Sequence, residues 1–203
     1  MFPSFCAILE PRAPQLRTRR AGQQFMPPER DAIPVITMRG RRLAVRPIVP
    51  VEASLLVDLL ARLSARSAQL RFFRPLTSKE TLWREAARVA VDNPQQHVAL
   101  AATAVADGAE RAVALAELAH DHSDPAVAEF AIVVRDDYQQ EGLGRMLTQL
   151  LIQVALLRGV DALRVEMLAE NRAVRKLVYG LGLPYIAQTR YGEIAALLTL
   201  RQG

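Results

Sequence analysis

The apolar positions along the chain change period repeatedly. Residues 1–42 show no periodicity and are rich in Pro, Arg and Gln. From Leu43, "RLAVRPI" alternates apolar and polar residues and predicts a short strand. "PVEASLLVDLLARLS" carries apolar residues at 51, 55, 56, 59, 60 and 63, the spacing of one helix face, with Pro50 near its start. "ARSAQLRFFRP" predicts a second helix ended by Pro75. "SKETLWREAARVAVDNP" predicts a third, opened by Ser78 and stopped at Asn93-Pro94. Past His97 the period becomes two. "HVALAATAVADGAERAVALAELAHDH" predicts a β-hairpin with Asp107-Gly108 in its turn, and "PAVAEFAIVVR" a third strand. Helical spacing returns over 142–158, with apolar residues at 143, 147, 150, 154 and 157 and Gly159 at the end. A strand at 160–168, a helix capped by Asn171 and running through Leu181, and two strands around Gly192 complete the pattern.

This order predicts a mixed α/β (α+β) domain. One helix separates the strands at 127–135 and 160–168. That is a crossover connection, so these two strands should lie parallel in an otherwise mostly antiparallel sheet. A chain of 203 residues, 51% hydrophobic, suits one well-filled core. The expected organisation is a disordered basic leader, residues 1–42, followed by one domain over 43–203; Met26 and Met38 are candidate alternative starts.

Charge alters this picture little. The leader holds eight arginines against three acids, which accounts for the whole formal charge of +5. The remaining residues balance and form no basic stripe, so no nucleic-acid partner is expected. No apolar run reaches the roughly 20 residues of a membrane span, so no membrane partner is expected either. Cys6 is the only cysteine, too few for an intrachain disulfide or a thiolate metal site, and a cytoplasmic location fits.

The chemistry concentrates in "AEFAIVVRDDYQQEGLGRML", residues 128–147. Between a strand end and a helix start, successive backbone N–H groups converge, and the helix's first turn carries partial positive charge. Such a place holds phosphate or pyrophosphate. Gly142 and Gly144 let an oxygen approach without a Cβ in the way, and Arg145 adds a charged donor. The loop is neither a dinucleotide G-x-G-x-x-G, since position 147 is Leu, nor a P-loop, since no G-K-S/T follows. On spacing alone it is as readily a glycine-rich helix entry without a ligand.

"YQQEGLGRML" after an apolar strand resembles motif A of the GNAT superfamily of N-acetyltransferases, Gln/Arg-x-x-Gly-x-Gly/Ala, filled here by Gln139, Gly142 and Gly144. "AENRAVRKLVYGLGL" resembles its motif B, with Asn171, Val174, Leu177 and Gly182-Leu183. The order of elements over about 43–200 agrees. "VRPI", "LRFFRPL" and "AEFAIVV" look like the branch that includes bacterial protein lysine acetyltransferases. The resemblance implies a GNAT fold with helices on both sheet faces and the parallel pair splayed around an acyl-CoA cleft. It implies acetyl-CoA as co-substrate and no metal. The pyrophosphate would lie on Gln139, Gln140, Glu141, Gly142, Leu143, Gly144 and Arg145. The pantetheine arm would pair with the backbone of the strand 131–134, with Ile132, Val133 and Val134 at the cofactor, and N–H groups near Val133 and Val134 would polarise the thioester carbonyl. Asn171 is expected at the cofactor as well.

Acyl transfer needs a neutral amine, and a free lysine is neutral only about once in 2,500 molecules at pH 7. Glu129, a lone acid in an apolar strand, is the candidate general base. Its side chain should share a face with Ala131 and Val133, opposite Phe130, Ile132 and Val134. Its bland alternative is a solvent-facing or Arg-paired strand-end acid. Many family members carry a tyrosine seven residues after the motif B asparagine; here that position is Val178, with Tyr179 one place on, so no general acid is assigned. "HDH" at 120–122 is more readily a surface cluster than a metal site. The expected activity is acetyl transfer to a primary amine, with a protein lysine as acceptor on the branch resemblance, for instance on an acyl-CoA synthetase. The alternatives are a small amine or amino acid as acceptor, or a non-catalytic acyl-CoA sensor. The protein is expected as a monomer or homodimer.

Overall fold

The computed structural model describes residues 32–90, 93, 96–121 and 124–201; the reading of residues 1–31 as a disordered leader falls outside them. Eight strands form one sheet: β1 (Ile33–Ile36), β2 (Arg42–Pro47), β3 (His97–Ala106), β4 (Ala109–His120), β5 (Val127–Val134), β6 (Ala162–Leu168), β7 (Tyr185–Arg190) and β8 (Glu193–Thr199). Their order is β1-β2-β3-β4-β5-β6-β8-β7. Every neighbouring pair is antiparallel except β5 and β6, as the crossover through α4 (Leu143–Leu157) requires. The β3–β4 hairpin turns at Asp107 and Gly108, both at positive φ, the backbone that a two-residue turn of matching twist needs.

Helices cover both faces. On one, α4 and α5 (Arg172–Tyr179) pack Leu143, Leu147, Leu151 and Val178 against Phe130, Ile132, Leu163 and Val165. On the other, α1 (Ala53–Ala61) and α3 (Lys79–Val89) pack Leu56, Leu59, Leu60 and Val89 against Ala101, Leu115 and Val133. Between these two in the chain comes α2 (Ala65–Phe72), whose N-cap Ser64 accepts from Ser67 N. Ser78 and Asn171 cap α3 and α5 in the same way.

The boundary expected at residue 43 is displaced. The sheet begins at Ile33, and β1 pairs along its whole length with β2. Four residues containing Pro34 give too short a run for a period to show, and the proline is tolerated because β1 is an edge strand.

Candidate active site

The parallel pair carries the site. β5 and β6 are in register only at Val127↔Ala162, Ala128↔Leu163 and Glu129↔Arg164. Beyond Glu129, β5 stays paired to β4 as far as Val134, while β6 stays paired to β8 as far as Leu168. The facing edges therefore part, and an open edge of this kind accepts an extended chain as an added strand. A cleft of about 150 Å³ fills the fork, walled by Leu70 and Phe73, Phe130 and Ile132 of β5, Met167 of β6 and Val174 of α5. Glu129 stands at the fork's apex and is exposed. It also lines a second cleft of about 280 Å³ on the α2–α3 side, beside Arg71, Arg88 and Glu117. The surrounding ion pairs join Arg71 and Arg88 to Glu117, Arg74 to Glu85, and Arg164 to Asp121; Glu129 is in none of them.

The loop between β5 and α4 sits at the wide end of the fork. Gln139 fastens it, its Nε2 donating to Val134 O at 3.0 Å and to Ser67 Oγ at 3.2 Å. Asp136 ties the same loop to α2 by accepting from Ser64 N, Ser64 Oγ and Ser67 Oγ. Burial pushes the Asp136 carboxyl up, but these hydrogen bonds outweigh it and hold it below the usual range. Gln140 and Gly142 take positive φ, and Gly142 is the N-cap of α4. The backbone N–H groups of residues 140–145 have no acceptor among the described residues. Arg145 is exposed beside them. This donor set, at the start of a fifteen-residue helix, fits a pyrophosphate.

The expected cofactor residues divide by what they can offer. Ile132 and Val133 are buried on opposite faces of β5, so what they chiefly offer a ligand is backbone, with that of Val134, and Ile132 also walls the fork cleft. Leu143 is 1% exposed and belongs to the core. Glu141 does not extend toward a ligand: its side chain is buried, and its Oε2 accepts from Thr37 Oγ1 at 2.7 Å. Asn171 is occupied with structure, accepting from Val174 N at 3.2 Å and donating to Leu70 O at 3.4 Å, though it also lines the fork cleft. Tyr179 stacks on Tyr185, with ring centroids 4.8 Å apart, and Val178 is buried.

Glu117 escaped the sequence reading. It is a second lone acid in an apolar strand, "VALAELAH", the same signal that singled out Glu129. It is 4% exposed and meets Arg71, Arg88 at 3.1 Å and His97 at 3.4 Å. Burial pushes its carboxyl up, but Arg71, His97 and Arg88 together overcome this and hold it at about 2. A group that acidic is a poor proton acceptor at neutral pH, whereas Glu129 faces the same cleft without a cation attached. Of the histidine cluster, Asp121 is engaged by Arg164, His122 lies outside the described residues, and no metal-binding group occurs among the described residues.

The acetyltransferase (GNAT) family profile matches residues 63–182. The GNAT domain of S. lividans PAT superposes with a TM-score of 0.72 at 23% identity, covering 86% of this chain and 99% of that one. The cAMP-binding acyltransferase from Mycobacterium smegmatis gives 0.57 at 24% identity over 84% of this chain, which spans 48% of that longer protein. The ribosomal-protein-S18-alanine N-acetyltransferase from Escherichia coli gives 0.58 at 20% identity, covering 79% and 96%. A forked parallel pair, an unpartnered amide run at a helix start and a family match across both motifs converge: the chain belongs to the GNAT family of acetyltransferases.

Proposed function

We propose that the protein transfers an acetyl group from acetyl-CoA directly to a primary amine, with Glu129 as general base and a protein lysine as acceptor. The observation that carries this reading is the place of Glu129: at the apex where β5 and β6 part, exposed to both clefts and outside the local ion pairs. In the proposed arrangement the loop N–H groups of 140–145 seat the pyrophosphate, and the free edge of β5 orients the thioester. The acceptor enters from the α2–α3 side. Glu129 takes the proton from its ammonium, directly or through one water. The nitrogen then bonds to the acetyl carbon as the carbon–sulfur bond breaks; the CoA thiolate, with a thiol pKa near 8.5, leaves and receives, through water, the proton that the new amide nitrogen sheds. Similarity to the GNAT domain of a protein acetyltransferase supports the lysine acceptor, and a small amine would use the same cleft. The stacking of Tyr179 on Tyr185, away from the fork cleft, supports the assignment of no side-chain acid. A cytoplasmic location and an acyl-CoA synthetase as acceptor belong to the same proposal.

Glu129→Gln tests the base, because it keeps size and loses basicity. The expected result is a fall of about 10²–10⁴-fold in kcat/KM for the amine at neutral pH. Acetyl-CoA affinity should stay unchanged, and activity should recover partly as rising pH supplies neutral amine. Equal activity of variant and parent at pH 7, in an assay limited by chemistry, would remove Glu129 from this role. Loss of acetyl-CoA binding together with activity would make it structural.

A further inference from the structure

The anion-collecting loop contains an acid, and an exposed carboxylate there would oppose a pyrophosphate. Glu141 is instead 1% exposed and turned inward. Its Oε2 accepts from Thr37 Oγ1 at 2.7 Å, and its carbonyl accepts from Met38 N at 3.0 Å. Arg41 and Arg39 approach Oε1 at 3.3 and 3.8 Å. Met38 also borders the loop, since a Cβ at Gly142 would sit 3.0 Å from its Sδ. All these partners come from one turn, between β1 and β2, at the far end of the sequence from the loop.

We propose that Glu141 is a positioning residue and that the β1–β2 turn is part of the cofactor site. The Thr37–Glu141 hydrogen bond latches the loop from below, so that its N–H groups face outward as a fixed set. Arg39 and Arg41 offset the acid's charge, so that the loop stays attractive to an anion. An unlatched loop would have to be ordered by the ligand itself, and that ordering would be taken from the affinity. The inference rests on the reading of residues 139–145 as the seat of the acetyl-CoA pyrophosphate.

Thr37→Val removes the hydroxyl donor and keeps the shape, while Thr37→Ser restores the donor. Leaving a buried acceptor unpaired should raise the acetyl-CoA KM about tenfold in Thr37→Val, with kcat and the amine KM unchanged and Thr37→Ser near the parent. In ligand-free protein, the amides of 140–145 should exchange faster in Thr37→Val and not in Thr37→Ser. Glu141→Gln, which keeps an acceptor oxygen and loses the charge, separates latch from charge. Under the latch it binds acetyl-CoA no more tightly than the parent. If Glu141 merely repels the ligand, Glu141→Gln binds more tightly while Thr37→Val, which keeps the charge, leaves the KM unchanged, and the latch is overturned. It is overturned equally if folded Thr37→Val shows unchanged loop exchange and unchanged KM. Thr37→Ala takes the place of Thr37→Val if the latter does not fold. Failure of the parent to bind acetyl-CoA would sink the proposed function, and loop exchange alone would then decide whether the latch exists.

Discussion

Three glutamates line one cleft, and two of them, Glu117 and Glu129, have opposite surroundings. Glu129 is exposed at the apex of the fork, whereas Glu117 is buried and clamped by Arg71, Arg88 and His97. The clamp joins β4 to α2 and α3, the two helices that wall the second cleft. Removing one partner from a buried ionic group leaves uncompensated charge, at a cost of about 3–5 kcal/mol. Arg88 is half exposed and can return to water, so the low end applies. Glu117→Gln is therefore expected to lower the Tm at neutral pH by roughly 10 °C. The folded carboxyl lies at about 2, below its ordinary 4.5, so its contribution is full above about 4.5 and is lost as the pH falls toward 2. Melting curves over that range should show the parent losing Tm more steeply than Glu117→Gln. Parallel curves would mean that Glu117 is not ionised in the clamp. Both glutamates carry the same sequence signal, an acid in an apolar strand. Only the partners that folding brings from α2, α3 and β3 tell them apart.

Among the elements, those with long or well-punctuated patterns were legible before folding. The hairpin at Asp107-Gly108, the Ser78 and Asn171 caps and the crossover helix each rest on local chemistry that survives in the structure. β1 was not legible, because its reason for being a strand is the edge of β2. A chain beginning at Ala32 is thus expected to match the full chain in Tm and acetyl-CoA affinity. One beginning at Arg42, without β1 and Thr37, should melt several degrees lower and bind acetyl-CoA more weakly. Equal melting of the two would show that β1 adds nothing to the sheet. The two loop glycines also separate. Gly142 sits at φ +82°, where an L side chain costs roughly 1–2 kcal/mol, and its Cβ would crowd Met38. A Cβ at Gly144 would meet Ile132, Leu177 and Val134 at 3.8–3.9 Å, an ordinary contact. Gly142→Ala should therefore lower both Tm and acetyl-CoA affinity, while Gly144→Ala keeps the Tm. Calorimetry on both variants checks this, and an unchanged Gly142→Ala would contradict the loop geometry.

For the whole molecule, the sheet turns a local motif into a place. Motif A lies in one loop and Glu129 on the strand before it, but the clefts need α2, α3, β6 and α5 to close around them. The loop and the base candidate were legible because their chemistry sits within a few residues. The second cleft was not, because Arg71, Arg88, Glu117 and Glu129 come from four elements. Those charges make the second cleft polar and mostly self-paired, with Glu129 outside the ion pairs. Acetyl transfer to an amine at this fork is checked by supplying acetyl-CoA with a panel of free amines, lysine peptides and an acyl-CoA synthetase, and measuring released CoA and acetylated product together. CoA and N-acetyl product are expected in equal amounts, with lysine side chains of protein or peptide preferred over small amines. Acetyl-CoA bound and left intact across the whole panel would contradict it and leave a binding module in place of an enzyme.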